Sequence, residues 1–208
     1  MALTKVRGSG LGTLGDGTAN DTAIVFDGNA QDFHIGLDDS ADSLTLGLGS
    51  ALGTTSHMVF DANGQITKPL QPAFLAQPTS LQSNIALDRW VTIVFGTERY
   101  DINGDFASNT FTAPVTGKYI FTVGLDVRSL DYGADAYYIA LESSNRAYYS
   151  WYNPNDTLAA DASGLHHSVN AVADMDASDT INVKFHQVGG TQQTDISTDS
   201  FFSGMLIG

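Results

Sequence analysis

Asn103-Gly104-Asp105-Phe106-Ala107-Ser108-Asn109-Thr110-Phe111-Thr112-Ala113-Pro114-Val115-Thr116-Gly117-Lys118-Tyr119-Ile120-Phe121-Thr122-Val123-Gly124-Leu125 carries the most specific pattern in the chain. Asn103-Gly104 supplies the positive φ of a tight turn. Phe106 and Phe111 stand either side of a short polar excursion that runs into Ala113-Pro114. Proline has no N–H to give a ladder, so Pro114 belongs at the start or edge of a strand. After a Thr116-Gly117 turn, Tyr119, Phe121, Val123 and Leu125 alternate with Lys118, Thr122 and Gly124, the period of two of a half-buried strand. Ile120 alone interrupts the polar side.

The same signature recurs downstream. Trp90 to Phe95, Tyr137 to Leu141, Ala147 to Tyr152, Val169 to Ala173 and Ile181 to Phe185 are rich in β-branched and aromatic residues at sandwich-like spacing and read as strands. Leu158 to Gly164 is expected to form one short helical turn, and nothing longer is helical.

The opening stretch resembles the core motif of the globular domain shared by the complement q-subcomponent and tumour necrosis factor superfamily. The residues that carry the resemblance are Gly104, Phe106, Phe111, Ala113, Pro114, Gly117, Tyr119 and Phe121. Pro72-Ala73-Phe74-Leu75-Ala76 is similar to that family's opening strand, and Phe201-Phe202-Ser203-Gly204-Met205-Leu206-Ile207 to its closing one. The resemblance covers roughly residues 73 to 208 and implies a ten-strand jelly roll that assembles as a homotrimer. One departure stands out: where the family has Gly-Asp before its penultimate strand, this chain has Ser178-Asp179.

Composition narrows the function classes. The 208 residues carry a formal charge of −14 and contain no cysteine. Disulfides, thiolate metal sites and a cysteine nucleophile are thus excluded. So acidic a chain lacks the basic patch that phosphate-backbone binding needs, so nucleic acid is not an expected partner. Met1 to Gly10 holds Lys5 and Arg7 with no apolar run after them, and no stretch approaches a membrane span. The expectation is a chain made in a host cytoplasm, with no membrane partner, located on a virion surface after lysis.

Residues 1 to 72 differ in material, holding 11 of the 21 glycines and only Phe26, Phe33 and Phe60 as aromatics. Residues 1–22, with Lys5, Arg7, Gly8, Gly10 and Gly12, are expected to anchor the chain to a particle. Within 23–68, Val25-Phe26-Asp27-Gly28-Asn29 is echoed at Val59-Phe60-Asp61-Ala62-Asn63-Gly64, and Phe33-His34-Ile35-Gly36-Leu37-Asp38 at Leu44-Thr45-Leu46-Gly47-Leu48-Gly49. Four such short strands expose apolar rows that about 50 residues cannot cover, and stacking against identical copies solves this. Gly10-Leu11-Gly12-Thr13-Leu14-Gly15-Asp16-Gly17 and Ile35-Gly36-Leu37-Asp38-Asp39-Ser40-Ala41-Asp42-Ser43-Leu44 resemble repeats of marine bacteriophage fibre proteins. Residues 69–72 form a stiff proline-containing connector to a head at 73–208. The expected fold is all-β: an intertwined trimeric β-stem followed by a jelly-roll β-sandwich head.

Catalytic motifs are thin. His166-His167, on a strand, point to opposite faces and cannot chelate one ion. His34, His57 and His186 have no partner at ligand spacing. Asp38, Asp39 and Asp42, or Asp131 and Asp135, offer oxygens for a structural calcium, but neither run has the spacing of a dedicated loop, and turn-forming is the expected role. No cofactor is expected. There is no nucleophile elbow or phosphate loop, and Glu98 and Glu142 are the only glutamates. The densest aromatic patch is Tyr137-Tyr138 with Tyr148-Tyr149-Ser150-Trp151-Tyr152, which runs into Asn153-Pro154-Asn155-Asp156; alternation sends half of these rings inward. Tyr149, Trp151, Tyr152, Asn155 and Asp156 are the candidates for a receptor or glycan surface. The expected function is non-enzymatic: a homotrimeric bacteriophage surface protein, either a capsid decoration or head fibre or a fibre tip. It would dock by its N-terminus on capsid or tail proteins and present its head to a host. The alternative is a soluble trimeric lectin-like adhesin.

Overall fold

The structure, a computed structural model, describes residues 14–208 and divides into two units, Met1–Gln71 and Pro72–Gly208. The expected anchor residues Lys5, Arg7, Gly8, Gly10 and Gly12 lie outside the described residues.

The first unit is a single antiparallel meander of β1 (Thr22–Phe26), β2 (Phe33–Asp38), β3 (Ser43–Leu48), β4 (Ser56–Asp61) and β5 (Ile66–Thr67). The two echoed pairs of segments become β1 and β4, β2 and β3; a fifth, two-residue strand completes the sheet. Aspartates set its turns. Asp38 accepts from Ser40 Oγ at 2.8 Å and the Ala41 N–H at 3.1 Å, and Asp61 accepts from the N–H groups of Asn63 and Gln65 at 2.9 and 2.8 Å. These side chains stand in for backbone acceptors and close the loops.

Register sorts the side chains into two unequal faces. Phe26, Phe33 and Leu48 form one cross-strand row; Ile24, Ile35, Leu46 and Met58 the next; Leu37, Leu44, Phe60 and Ile66 the third. This face is open to solvent, with Phe26 60% and Ile66 59% exposed. The opposite face carries His34, Gly36, Asp38, Ser43, Thr45 and Gly47, all buried. There the loop after β3 closes in: the imidazole Nδ1–H of His34 donates to the Gly49 carbonyl at 2.9 Å, and Thr55 O lies 2.3 Å from where a Cβ on Gly47 would stand. The polarity of the sheet is thus the reverse of a self-contained one.

The second unit is a two-sheet sandwich. Its strands are β6 (Ala73–Gln77), β7 (Val91–Thr92), β8 (Thr97–Asp101), β9 (Phe106–Ala107), β10 (Thr110–Thr112), β11 (Gly117–Leu130), β12 (Ala134–Ser143) and β13 (Ala147–Tyr152). After the one-turn helix α1 (Pro154–Thr157) come β14 (Ala162–Met175), β15 (Thr180–Gly189), β16 (Asp195–Ile196) and β17 (Phe201–Leu206). One sheet runs β14-β11-β17-β6-β8 and the other β13-β12-β15-β10-β9, with β16 beside β11 and β7 beside β15. Neighbours that are far apart in sequence, such as β17 against both β11 and β6, give the jelly-roll crossover.

Inward side chains of both sheets meet in one aromatic core. Phe74 packs on Phe106 at a centroid distance of 4.6 Å, Phe202 at 4.9 Å and Phe111 at 5.2 Å, and Phe111 packs on Tyr119 and Phe121 at 5.5 Å each. Phe106, Phe111, Tyr119, Phe121 and Phe202 are all buried. Gly204 makes room for them, since a Cβ there would lie 2.4 Å from Phe121 Cδ1 and 2.8 Å from Phe74 Cε1. Asn103 and Gly104 adopt φ of 71° and 74°, the left-handed pair of a tight turn. Pro114 sits exposed just past β10, where no ladder bond is required of it. Gly117 is the first residue of β11, not a turn residue as expected; a Cβ there would meet Leu206 Cδ1 at 2.7 Å. Ser178 takes φ 77°, the left-handed conformation that glycine would adopt without a Cβ penalty. Asp179 compensates by accepting from Ser144 Oγ, Asn145 Nδ2 and the Asp176 N–H at 2.6 to 2.8 Å, which holds its carboxyl below the usual range.

Two further expectations need correction. Trp90 to Phe95 is a strand only at Val91–Thr92, because Gln82 bonds the backbone of Val94 through both ends of its amide at 2.9 Å and Asn109 Oδ1 takes the Phe95 N–H at 2.8 Å. The helical turn lies at Pro154–Thr157, and β14 already begins at Ala162 within the stretch expected to be helical. Asn153 caps that turn through its side chain on the Asn155 N–H, and Pro154 occupies the first turn, where its missing donor costs nothing.

Candidate binding surfaces

Each sheet of the second unit has an outward face, and the two differ in chemistry. On β14-β11-β17 the cross-strand row Val172, Ile120 and Met205 is exposed and aliphatic, flanked by the row Asn170, Thr122, Ser203, Leu75 and Tyr100. On β13-β12-β15 the outward face is aromatic. Tyr138 pairs across to Trp151 on β13 and to His186 on β15, while Ala140 pairs with Tyr149 and Lys184.

Trp90, just before β7, joins these rings. Its indole lies 5.0 Å from His186, 5.7 Å from Tyr149 and 6.0 Å from Tyr138, and Tyr138 stacks on Trp151 at 5.9 Å. Trp90, Tyr149 and Trp151 are 41%, 57% and 60% exposed, and none belongs to the buried core. Beside Ala140, the ammonium of Lys184 pairs with the Glu142 carboxylate. His186 Nε2 has no hydrogen-bond partner.

Of the residues singled out from sequence, Tyr149 and Trp151 thus share this surface. Tyr152 does not: parity sends it inward, where it packs 5.3 Å from Tyr137 and 5.1 Å from His167, and burial pushes its phenol pKa well up. Asn155 turns its amide to the Ala134 carbonyl at the end of β12, 3.5 Å away, and Asp156 lies exposed in the first turn of α1. Tyr138 belongs to the aromatic patch singled out from sequence, whereas Trp90 and His186 do not. Parity along β12 from buried Tyr137 places Tyr138 on the outward face; Trp90 and His186 arrive only through strand pairing.

His166 and His167 do take opposite faces. His167 turns inward, with Nε2 2.6 Å from Ser150 Oγ, and burial together with neighbouring His166 lowers its pKa; His166 stacks outward on Phe201 at 6.4 Å. Asp131 is 6% exposed and spends its oxygens on backbone: Oδ2 accepts from the N–H groups of Thr191 and Gln192 at 2.6 and 2.8 Å, and Oδ1 from Gly133 at 2.7 Å. It is a loop clamp, as Asp38 is a turn-former. Among the described residues no three His, Asp or Glu side chains converge as metal donors, and no helix is long and apolar enough to cross a membrane.

A family model for the C1q domain matches residues 73–207. The chain belongs to the C1q domain family. Domains of this family are typically trimeric, and its members are generally non-enzymatic binding or structural proteins. The globular domain of zebrafish complement 1qA protein is similar at 19% identity and a TM-score of 0.47, covering 66% of this chain and 98% of that one. Murine APRIL at pH 8.5 is similar at 10% identity and TM-score 0.46, and at pH 5.0 at 11% and 0.46, each covering 66% of this chain and 99% of that one. No curated protein matches the chain. Within the C1q domain, the aromatic motif read from sequence is buried in the core, so it builds the fold.

Proposed function

We propose that the chain is a homotrimeric, non-enzymatic structural protein of a bacteriophage surface, made in the host cytoplasm and carried on the virion. The observation that carries the reading is the open apolar face of β1 to β5, three rows deep and eleven side chains in extent. Monomeric soluble proteins rarely leave so contiguous a patch in water. Each buried Leu, Ile or Phe contributes on the order of 2 kcal/mol, so three identical sheets turned inward around an axis gain far more than the association entropy they lose. Only a cyclic arrangement closes such a patch on itself without leaving a free copy to propagate fibres. The aliphatic row Val172, Ile120 and Met205 offers the C1q domain a second surface for the same assembly.

Placement on a phage particle rests on the resemblance of the glycine-rich N-terminal segment to marine phage fibre repeats, and residues 1–22 supply the contact to capsid or tail proteins. Deleting residues 1–22 is expected to abolish attachment to purified particles in a co-sedimentation assay while leaving a folded trimer. Undiminished attachment by the truncated protein contradicts the anchor.

A further inference from the structure

We propose that Trp90, Tyr149 and Trp151, with Tyr138 behind them, form a stacking platform for neutral saccharides on the outward face of β13-β12-β15. This goes beyond the assembly role and stands independently of it, since every ring belongs to one chain.

Three features select the ligand. First, the rings are held by one another at 5.0 to 6.0 Å, so little side-chain freedom remains to be lost when a ligand lands. The rings are tilted against one another by 25° to 63°, so they form a stepped rather than a flat surface; exposed indole and phenol faces suit the C–H faces of pyranose rings, and phenolic hydroxyls can hydrogen-bond sugar hydroxyls. Second, an ion pair borders the platform: Lys184 continues the cross-strand row of Tyr149 and Ala140 and pairs with Glu142. A second copy of the chain seated here would have to desolvate that ion pair, a cost the aliphatic face of the other sheet does not impose. Third, charge excludes the other ligands that stack on aromatic rings. Nucleic-acid bases and sulfated or sialylated glycans bring negative charge to a chain that already carries −14, and Lys184 is neutralised by Glu142.

The chain contains two tryptophans, and both are in the platform. Intrinsic tryptophan fluorescence of the full-length protein therefore reports this surface alone. Titration with neutral oligosaccharides of glucose, galactose, mannose and N-acetylglucosamine is expected to give saturable quenching or a shifted emission maximum with at least one of them. Calorimetry with that sugar should show Trp90→Ala and Tyr149→Ala each weakening binding at least tenfold, and Tyr132→Ala, an exposed ring elsewhere, leaving it unchanged. The proposal is overturned if no neutral oligosaccharide changes the fluorescence, if binding survives both platform variants, or if only sulfated or sialylated glycans bind. Circular dichroism of the variants separates lost recognition from lost fold, and Trp90→Phe, which keeps a ring, should recover part of the affinity.

Discussion

Replacing Phe74 by alanine is expected to destabilise the C1q domain by about 4 kcal/mol, the largest effect of any single truncation in it. Phe74 is fully buried and contacts Phe106, Phe111, Phe121 and Phe202, so it joins β9, β10, β11 and β17 across the two sheets. Removing the ring forfeits its transfer energy and leaves a cavity lined by other rings, which strands pinned in two ladders cannot close. Thermal unfolding should fall by roughly 10–20 °C, whereas Tyr149→Ala, removing an exposed ring, should stay within about 0.5 kcal/mol of the parent. A Phe74→Ala protein as stable as Tyr149→Ala would mean that the core is not where the structure puts it.

Asp131→Ala is expected to cost about 3 kcal/mol at neutral pH, because it strands three backbone N–H groups that now share one carboxylate. The mechanism has a pH signature. Bonds from Gln192 and Thr191 lower the pKa of Asp131 below its ordinary value, against a smaller opposing effect of burial. Folding therefore favours the ionised form. Its contribution is complete above the unfolded carboxyl pKa, near 3.8, and disappears as pH falls through the lower folded value. The stability gap between parent and variant in urea melts should be widest at pH 7 and shrink as acid protonates the carboxylate. Tyr137 belongs to the same clamp: its hydroxyl accepts from the Asp131 N–H at 2.8 Å, and burial pushes its pKa up to about 12, so it stays protonated throughout. A gap that does not change with pH would assign the loss to packing instead.

How much of this could be read from the chain follows from which forces are local. Alternation is local, so the strand expected at Ala147 to Tyr152 coincides with β13, and the Tyr119 to Leu125 run lies within β11. Turn chemistry is local too, as Asn103-Gly104 shows. What failed was non-local. The ladder at Trp90 to Phe95 is displaced by side-chain amides of Gln82 and Asn109, eight or more positions away in sequence, and no window on the strand itself reveals them. Trp90 reaches the aromatic surface because β7 pairs with β15, a juxtaposition that composition cannot supply. Tyr152 is a different error: parity alone separates it from Tyr149 and Trp151, but density of aromatic residues outweighed it. The helical turn was misplaced although Asn153-Pro154 carried the capping signal in plain view.

Coverage of the open faces by identical copies is tested by light scattering of the purified full-length protein after size exclusion. A native mass near three times 22.1 kDa is the expected result; a monodisperse species of 22.1 kDa at micromolar concentration would contradict it.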